Sequence, residues 1–318
     1  MEKMVEVIKK EISFTSTQKD VMCKGYIWEP KSLEPKKIIQ LIHGMVEHID
    51  RYDQVAKILC SQGFIVVGID HVGHGRSCNA RQDLGVYPRK KGADILIEDQ
   101  HKLRELTKNL YGSDLPYFML GHSMGSFVLR CYLARHGEGL SGAVIVGTGY
   151  QSPVNIFAGK TLCAILCALK GEDFRSKFVD DLGCGGYNQQ FQEDGCCGRE
   201  WLSANDDNVQ AYCTDELCGW MFSVSGYYVI SNLLAEAQST SALLKVPEDL
   251  PIFIISGAQD PVGDNGEGPA RVFQDYKKAG CTNVVFDLVK GCRHEILNEK
   301  NRDDILGELI SWMNLQTA

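Results

Sequence analysis

The stretch YFMLGHSMGSFVLRCYLARHG, residues 117–137, decides the fold of this 318-residue chain. It opens with an apolar run of strand length, and after residue 125 it continues as a helical pattern that ends in basic residues and a glycine. Between the two lies a Gly-x-Ser-x-Gly motif centred on Ser123. A strand, a tight glycine turn and a helix in this order predict a nucleophile elbow, which exposes a serine oxygen at the end of a sheet. The helix N-terminus adds partial positive charge beside that oxygen.

Short apolar runs alternate with helical patterns on both sides of the elbow, which is typical of a parallel sheet covered by helices on both faces. The predicted buried strands are residues 37–43, 64–70, 117–121, 142–146, 251–257 and 284–289. Residues 5–14 and 21–28 alternate in polarity and predict an antiparallel hairpin at the sheet edge. The predicted helices include residues 51–60, 93–110, 124–135, 268–278 and 302–313. The sequence therefore predicts an α/β fold with a mostly parallel, eight-stranded sheet.

One long segment, residues 151–236, interrupts this alternation. It is rich in Phe, Tyr, Trp, Cys and Gly, and a structureless loop of this length inside a compact domain is implausible. We interpret it as a mainly helical cap, or lid, inserted between the sixth and seventh strands. Residues 1–150 and 237–318 then form the catalytic domain.

A serine nucleophile needs a base, and the base needs an acid that fixes its tautomer. In this fold the chain order is serine, acid, histidine. His294 is the only histidine beyond the helix that follows the elbow, and it comes shortly after the last predicted strand. Asp260 follows the seventh strand in a compact Gly-Ala-Gln-Asp-Pro turn, and Asp264 in the same loop is the alternative. We predict Ser123 as nucleophile, His294 as general base and Asp260 as the acid.

The oxyanion of an acyl-transfer reaction needs backbone donors. The residue after the nucleophile, Met124, supplies one N–H in this fold, and the loop after the third strand supplies the other. In that loop Gly44 precedes Met45, and a glycine allows close approach of the backbone. We predict the N–H groups of Met45 and Met124 as the oxyanion hole.

Four histidines lie near predicted strand ends and could together indicate a metal-binding site: His43, His48, His71 and His74. Their spacing matches no familiar ligand pattern, so we interpret all of them as structural, and we predict neither a metal nor a cofactor. The chain also has 13 cysteines and no Cys-x-x-Cys pair. Without an apparent signal peptide, these cysteines are interpreted as reduced thiols.

Charge and hydropathy narrow the functional class. The net charge of −8 excludes a basic nucleic-acid-binding surface as the main feature. The N-terminus alternates charged and apolar residues rather than forming a secretory core, and no uninterrupted apolar run reaches the length of a membrane span. We therefore expect a cytoplasmic protein with at most peripheral membrane contact; the sequence does not indicate its oligomeric state.

Taken together, the motifs resemble the monoacylglycerol lipase and lysophospholipase branch of the α/β-hydrolases, a group often labelled serine aminopeptidase-like. The resemblance is carried by residues 43–48 (HGMVEH), 51–52 (RY), 70–77 (DHVGHGRS), 121–125 (GHSMG), 257–261 (GAQDP) and 294–299 (HEILNE). It implies the α/β-hydrolase fold, the same triad of Ser123, Asp260 and His294, the Met45 and Met124 donors, a cap and no cofactor. It also implies a small-molecule or lipid ester substrate.

Two residues depart from the pattern of this branch. Ser126 stands where such lipases usually have glycine, and Met45 stands where a smaller residue is common, so both are expected to alter the acyl pocket. Apolar residues of the insertion suit such a pocket: Phe157, Leu162, Leu166, Trp201, Trp220 and Phe222. The expected reaction is hydrolysis of carboxylic esters with apolar acyl groups. An aminopeptidase with an acidic cap and a hydrolase-fold small-molecule receptor are the alternatives.

Overall fold

The computed structural model describes residues 6–191 and 197–317. Residue 5, the first of the predicted hairpin, lies outside the described residues. Within the described chain, eight strands form one sheet in the order β1-β2-β4-β3-β5-β6-β7-β8. Their bounds are β1 Val7–Thr15, β2 Met22–Pro30, β3 Lys37–Ile42, β4 Phe64–Ile69, β5 Tyr117–His122, β6 Gly142–Val146, β7 Ile252–Gly257 and β8 Val284–Val289. Only β2 runs antiparallel to its neighbours, so the predicted mostly parallel sheet is confirmed.

The central strands are apolar along their whole length because helices cover both faces of the sheet. Every residue of β4, β5, β6 and β7 is buried. Alternate side chains of these strands enter two separate apolar clusters, one on each face. The edge strand β8 is only partly buried, since one of its sides has no neighbouring strand.

Helices connect the strands, and those of the main domain lie close to the predicted ranges. Their bounds are α1 Asp53–Ser61, α2 Gly92–Tyr111, α3 Met124–His136, α4 Pro153–Lys170, α5 Lys177–Gly183, α6 Asp206–Thr214, α7 Val224–Ala237, α8 Thr240–Leu243, α9 Glu267–Lys278 and α10 Arg302–Leu315. The connections place the carboxyl ends of the parallel strands together at one edge of the sheet, where loops can share a site.

Helices α4 to α7 make up most of the described part of segment 151–236, where only helices and short turns occur. Helix α4 packs along α7. Contrary to the expectation that no segment has the length and polarity of a membrane span, α4 is long and apolar enough to cross a membrane. The strands that flank the segment, β6 and β7, pair directly with each other, so the chain leaves the sheet after β6 and re-enters it beside the same strand.

The expectation from the sequence that the cysteines are reduced thiols is wrong for one pair. Cys197 and Cys213 form a disulfide between the turn that precedes α6 and the last part of α6. Most of the other described cysteines are buried thiols. The disulfide was not predicted from the sequence because the two cysteines are 16 residues apart, and this separation matches no recognised spacing pattern.

Candidate active site

Ser123 occupies the turn between the end of β5 and the start of α3. Its backbone has φ 53° and ψ −121°, a conformation that is strained for a residue with a side chain. The N–H of Ser123 donates to the carbonyl oxygen of Val146 at 3.0 Å, which ties the turn to β6. A Cβ atom at Gly125 would lie 2.1 Å from the carbonyl oxygen of Ile42, so the motif glycine is required by close backbone approach. The elbow predicted from the motif is therefore present in its backbone geometry.

His294 and Asp260 meet beside this turn although they are separated in sequence. Nδ1 of His294 lies 2.9 Å from Oδ2 of Asp260, and both side chains are buried. The other carboxylate oxygen of Asp260 accepts the N–H of Val262 at 2.9 Å, which fixes the carboxylate plane. The alternative acid, Asp264, is exposed and lies in a short turn with φ 52°. The geometry thus pairs His294 with Asp260.

Ser123 and His294 line one small cavity of about 50 Å³. The indole of Trp201 lies over the imidazole of His294, with ring centroids 5.2 Å apart. Trp201 comes from the inserted segment, so that segment forms part of the wall around the histidine. Trp220 and Phe222, two other apolar residues predicted from the sequence, line the same cavity.

The loop after β3 lies directly against the serine. A Cβ atom on Gly44 would lie 3.1 Å from Cβ of Ser123. The N–H of Gly44 donates to Oε1 of Glu47 at 2.6 Å, and the N–H of Val46 donates to Nε2 of His74 at 3.2 Å. These bonds hold the backbone on both sides of Met45.

Met124 is the first residue of α3, and its N–H therefore has no acceptor within the helix. Met45 and Met124 both line a larger cavity together with Ser123. The two residues predicted to form the oxyanion hole are thus brought to the same side of the serine.

Three of the four strand-end histidines shape this loop through hydrogen bonds. Nε2 of His43 accepts the N–H of His71 at 2.9 Å, and Nε2 of His71 lies 3.1 Å from the carbonyl oxygen of His43. Burial lowers the pKa of His71 to about 4 and that of His74 to about 3. A neutral imidazole can accept a hydrogen bond, which is what the His74 contact to Val46 requires.

A buried group of charged side chains, which was not predicted from the sequence, lies next to the site. The guanidinium of Arg51 donates to Glu47 at 2.6 Å and to both carboxylate oxygens of Glu295 at 2.7 Å. Burial favours neutral forms, but the Arg51 charge holds the pKa of Glu295 below its usual range. For Glu47, burial is likewise outweighed by the hydrogen bond from His122 and the Arg51 charge, and its pKa is lowered. The three groups therefore remain ionised and paired.

This charged group connects the loops that carry Ser123 and His294 with the insertion. Glu295 directly follows His294, and its N–H donates to the carbonyl oxygen of Leu202 in the insertion at 2.7 Å. Asn208 on α6 donates to Oε2 of Glu295 at 2.7 Å. His122 directly precedes Ser123, and its Nε2 lies 3.2 Å from the carbonyl oxygen of His294. Residues next to the serine and the histidine thus hold the backbone of the histidine loop.

The larger cavity has a volume of about 510 Å³ and begins at Ser123. This volume lies within the range of pockets that enclose small organic ligands. Its apolar lining comes mainly from α3, α4, α5 and α7: Phe127, Ile156, Leu162, Val179, Leu182, Ile230 and Leu234. The site can therefore receive a long apolar group beside a serine hydroxyl.

Not all of the residues predicted to alter or line the acyl pocket lie in it. Leu162 and Trp201 line the large cavity, and Met45, one of the two departures from the family pattern, lines it as well. Phe157 instead points outward and is 73% exposed. Ser126, the other departure, is buried behind the elbow, where its hydroxyl lies 2.5 Å from the carbonyl oxygen of Ser123. Periodicity could not separate the inner from the outer face of α4, because apolar residues occur on both.

The chain is similar to known proteins in both sequence and structure. A sequence profile for the family described as "Serine aminopeptidase, S33" matches residues 33–301. The monoglyceride lipase homolog of Monkeypox virus is 37% identical over 301 residues, which cover 92% of this chain and 94% of the viral protein. The monoglyceride lipase of Rattus norvegicus is 34% identical over 294 residues, covering 92% and 86% of the two chains.

Among solved structures, a thermostable carboxyl esterase from Bacillus coagulans superimposes with a TM-score of 0.89. It is 32% identical to this chain, and the match covers 98% of this chain and 99% of the esterase. With the sheet order described above, these similarities confirm the α/β-hydrolase fold and the predicted resemblance.

Proposed function

This chain belongs to the serine aminopeptidase family of α/β-hydrolases, and we propose that it hydrolyses carboxylic esters through an acyl-enzyme on Ser123. The observation that carries the proposal is the buried Asp260–His294 pair beside a strained serine that opens into a large apolar cavity. The similar proteins named above are a lipase, a lipase homolog and an esterase, which supports ester hydrolysis as the reaction class.

In the proposed mechanism, Oγ of Ser123 attacks the ester carbonyl while His294 accepts the serine proton. Asp260 holds the imidazole in the tautomer that presents Nε2 to the serine. The oxyanion is stabilised by the N–H groups of Met45 and Met124, and His294 then protonates the leaving alcohol. A water molecule then attacks the acyl-enzyme while His294 accepts its proton. His294 returns this proton to Oγ of Ser123 as the acyl–oxygen bond breaks, which releases the acid and regenerates the serine.

We propose esters with a medium or long apolar acyl chain, monoacylglycerols first and lysophospholipids second, as substrates. Each methylene that enters the cavity contributes about 0.8 kcal/mol to transition-state binding, or roughly a fourfold increase in kcat/KM. The relatives named as monoglyceride lipases support a glycerol leaving group.

The insertion is proposed to act as a cap over the site. Its exposed face is proposed to bind lipid surfaces peripherally. Large apolar side chains of α4 and α5 lie more than half exposed: Val154, Phe157, Ile165, Leu169, Phe178 and Leu182. Leu182 also lines the large cavity, so the exposed apolar surface is continuous with the proposed acyl site. Monomeric soluble proteins rarely expose such groups together without an interaction partner.

The aminopeptidase alternative requires free carboxylates in the cavity to hold a substrate ammonium. Asp180 of the insertion lines the small cavity, but its Oδ1 already accepts the hydroxyl of Tyr227 at 2.6 Å. Glu47 and Glu295 line the same cavity, and both are paired with Arg51. We therefore place ester hydrolysis ahead of peptide hydrolysis.

A chain-length series of nitrophenyl esters tests the acyl site. We expect kcat/KM to rise from acetate through the medium chains and to level off when the cavity is full. Gly159 lines the cavity and has room for a side chain, with Oγ of Ser231 at 3.8 Å as the nearest atom to an added Cβ. Gly159→Leu should shift the optimum to shorter chains, whereas Gly307→Leu on α10, where an added Cβ meets nothing, should not. Rates that fall steadily from acetate in the wild type would contradict the proposal.

Two further assays separate the alternatives. Faster cleavage of alanine or proline anilides than of butyrate esters at equal concentration would favour the aminopeptidase. For the lipid surface, Phe157→Ser with Leu169→Ser should reduce co-sedimentation with phosphatidylcholine vesicles. Leu315→Ser, which removes a side chain that is 74% exposed on α10, is the matched control and should leave sedimentation unchanged.

A further inference from the structure

We propose that His48, Asp215 and Cys218 form a binding site for Zn²⁺ that joins the inserted segment to the loop carrying Met45. The donor atoms of these three side chains all lie within 4.8 Å of one another. A histidine, a carboxylate and a thiolate form a donor set that Zn²⁺ favours, and sites with three protein ligands leave a fourth position for water.

The distance between the His48 and Asp215 donors allows an ion to enter after a small movement of the carboxylate. Nε2 of His48 lies 2.8 Å from Oδ2 of Asp215. Ligands at ordinary Zn–N and Zn–O distances in a tetrahedral site lie roughly 3.4 Å apart. The carboxylate therefore has to move outward by about half an ångström. Asp215 is about one-third exposed, so it can make this movement and leave a path for solvent.

The local backbone already presents the two ligands from the insertion on one side of a turn. The N–H of Cys218 donates to the carbonyl oxygen of Asp215 at 3.0 Å. The N–H of Leu217 donates to Oδ1 of Asp215 at 2.8 Å, which leaves Oδ2 directed at His48. Two ligands separated by two residues in a turn is a spacing found in zinc-binding loops.

The thiol of Cys218 has no other evident task. It is buried, and within the described residues it makes no hydrogen bond. Burial raises its pKa, so the free thiol is protonated. On binding, the S–H bond breaks, the proton goes to solvent and the sulfur electron pair forms the bond to zinc. The neighbouring cation, Arg51, opposes a metal ion only weakly because Glu47 and Glu295 neutralise it.

A hydrogen bond between His48 and Asp215 explains their contact but gives the thiol of Cys218 no part. His48 also differs from the other strand-end histidines because the side chain that it contacts, Asp215, belongs to the insertion and lies 167 residues away in the sequence. Because of that separation, no sequence spacing marks the site. For this reason His48 is interpreted as structural from the sequence alone.

An ion here would link two parts of the active site. The N–H of Gly219, next to Cys218, donates to the carbonyl oxygen of Val46 at 3.0 Å, and Val46 follows Met45. His48 belongs to the same loop. Occupancy should therefore stabilise the position of the insertion against this loop, and the melting temperature should rise when Zn²⁺ is added.

The test uses the full chain, without thiol reductants, so that the disulfide cysteines are not available as ligands. Co²⁺ is titrated as a spectroscopic probe and then displaced by Zn²⁺. The wild type should bind one equivalent and develop a thiolate-to-cobalt charge-transfer band with tetrahedral ligand-field bands. Cys218→Ser should lose the charge-transfer band and weaken Zn²⁺ binding by more than about 100-fold, since even outer-shell changes cost 10–100-fold.

Cys78→Ser is the matched control, because Cys78 is a partly exposed free thiol outside the cluster. It should keep the band and the affinity. Asp215→Asn provides a second test that keeps the side-chain shape, and it should weaken binding while circular dichroism stays unchanged. The proposal is overturned if Cys218→Ser and Asp215→Asn bind Zn²⁺ as the wild type does, or if the band disappears in Cys78→Ser.

Discussion

Nε2 of His122 lies 3.2 Å from the carbonyl oxygen of His294. The residue before the proposed nucleophile thus donates a hydrogen bond to the backbone of the proposed base. Although burial opposes a charge on this ring, the hydrogen bond with Glu47 raises the pKa of His122. The elbow and the loop that carries His294 are therefore coupled directly.

His122→Phe should misplace the histidine loop without removing a reacting group. We expect kcat to fall by about 10–100-fold, the size of effect that small misplacements have on catalysis. The reactivity of Ser123 towards a small fluorophosphonate should fall in parallel. His101→Phe, which changes a partly buried histidine on α2, is the control. A kcat near the wild-type value in His122→Phe would show that the contact does not position the base.

Asp260→Asn should preserve the fold but favour the wrong imidazole tautomer. We expect kcat at neutral pH to fall by about 10³–10⁴. Asp264→Asn should have little effect, because Asp264 is exposed and His294 is paired with Asp260. Steady-state kinetics with a butyrate ester compare the two variants. If Asp264→Asn were the more damaging change, the acid role would have to move to Asp264.

Arg51→Met should leave two buried carboxylates without their counter-ion. Removing one partner of a buried ionic group typically costs about 3–5 kcal/mol, so the free energy of unfolding should fall by that amount. Arg271→Met removes an exposed arginine that contacts Glu267 on the same helix, and it should cost about 0.5 kcal/mol or less. Urea unfolding followed by circular dichroism measures both. Equal costs in the two variants would contradict the role assigned to the buried group.

Stability should decrease as the pH falls below about 6.5, the ordinary histidine value. The pKa of His71 is lowered to about 4 and that of His74 to about 3 in the folded state, so the unfolded chain binds protons first. Their neutral state therefore stabilises the fold above pH 6.5, and this contribution is lost as pH falls towards the folded pKa values. His122, with a raised pKa, opposes part of the loss.

We expect a net loss on the order of 2 kcal/mol between pH 6.5 and 5. Urea unfolding at several pH values measures it, and His74→Gln should reduce the slope, since it removes one of the groups. An unfolding free energy that rises as the pH is lowered over this interval would contradict the assignment of neutral buried histidines.

The disulfide between Cys197 and Cys213 should stabilise the insertion. Closing a loop of this length contributes about 3 kcal/mol in the chain-entropy view. Cys197→Ser with Cys213→Ser should lower the unfolding free energy by about 2–4 kcal/mol, and peptide mapping without reduction should recover the linked pair. Recovery of both cysteines as free thiols from protein handled without reductants would contradict the pairing.

The cytoplasmic location expected from the sequence remains a prediction.

The sequence predicted the sheet because buried parallel strands leave continuous apolar runs, and it predicted the order of Ser123, Asp260 and His294 because the fold fixes that order. It did not predict the contacts that hold these residues. Arg51 lies 244 residues from Glu295, and no local pattern records that distance. Pairings of this kind depend on how loops from different strands meet, which only the folded chain determines.

The sequence also could not distinguish the face of α4 that lines the cavity from the face that is exposed to solvent. Leu162 lines the cavity and Phe157 faces solvent, although both were assigned to the pocket. An amphipathic pattern separates faces only when one face is polar, and α4 has large apolar residues on both.

The central claim, an acyl-enzyme on Ser123, is tested most directly by intact-protein mass spectrometry after reaction with a fluorophosphonate. The wild type should gain one phosphonyl group, which peptide mapping should place on Ser123. Ser123→Ala should gain none and lose about 10⁴–10⁶ in kcat. Ser126→Ala, whose hydroxyl faces the backbone behind the elbow, should be labelled like the wild type. Equal labelling of the wild type and folded Ser123→Ala would contradict the account.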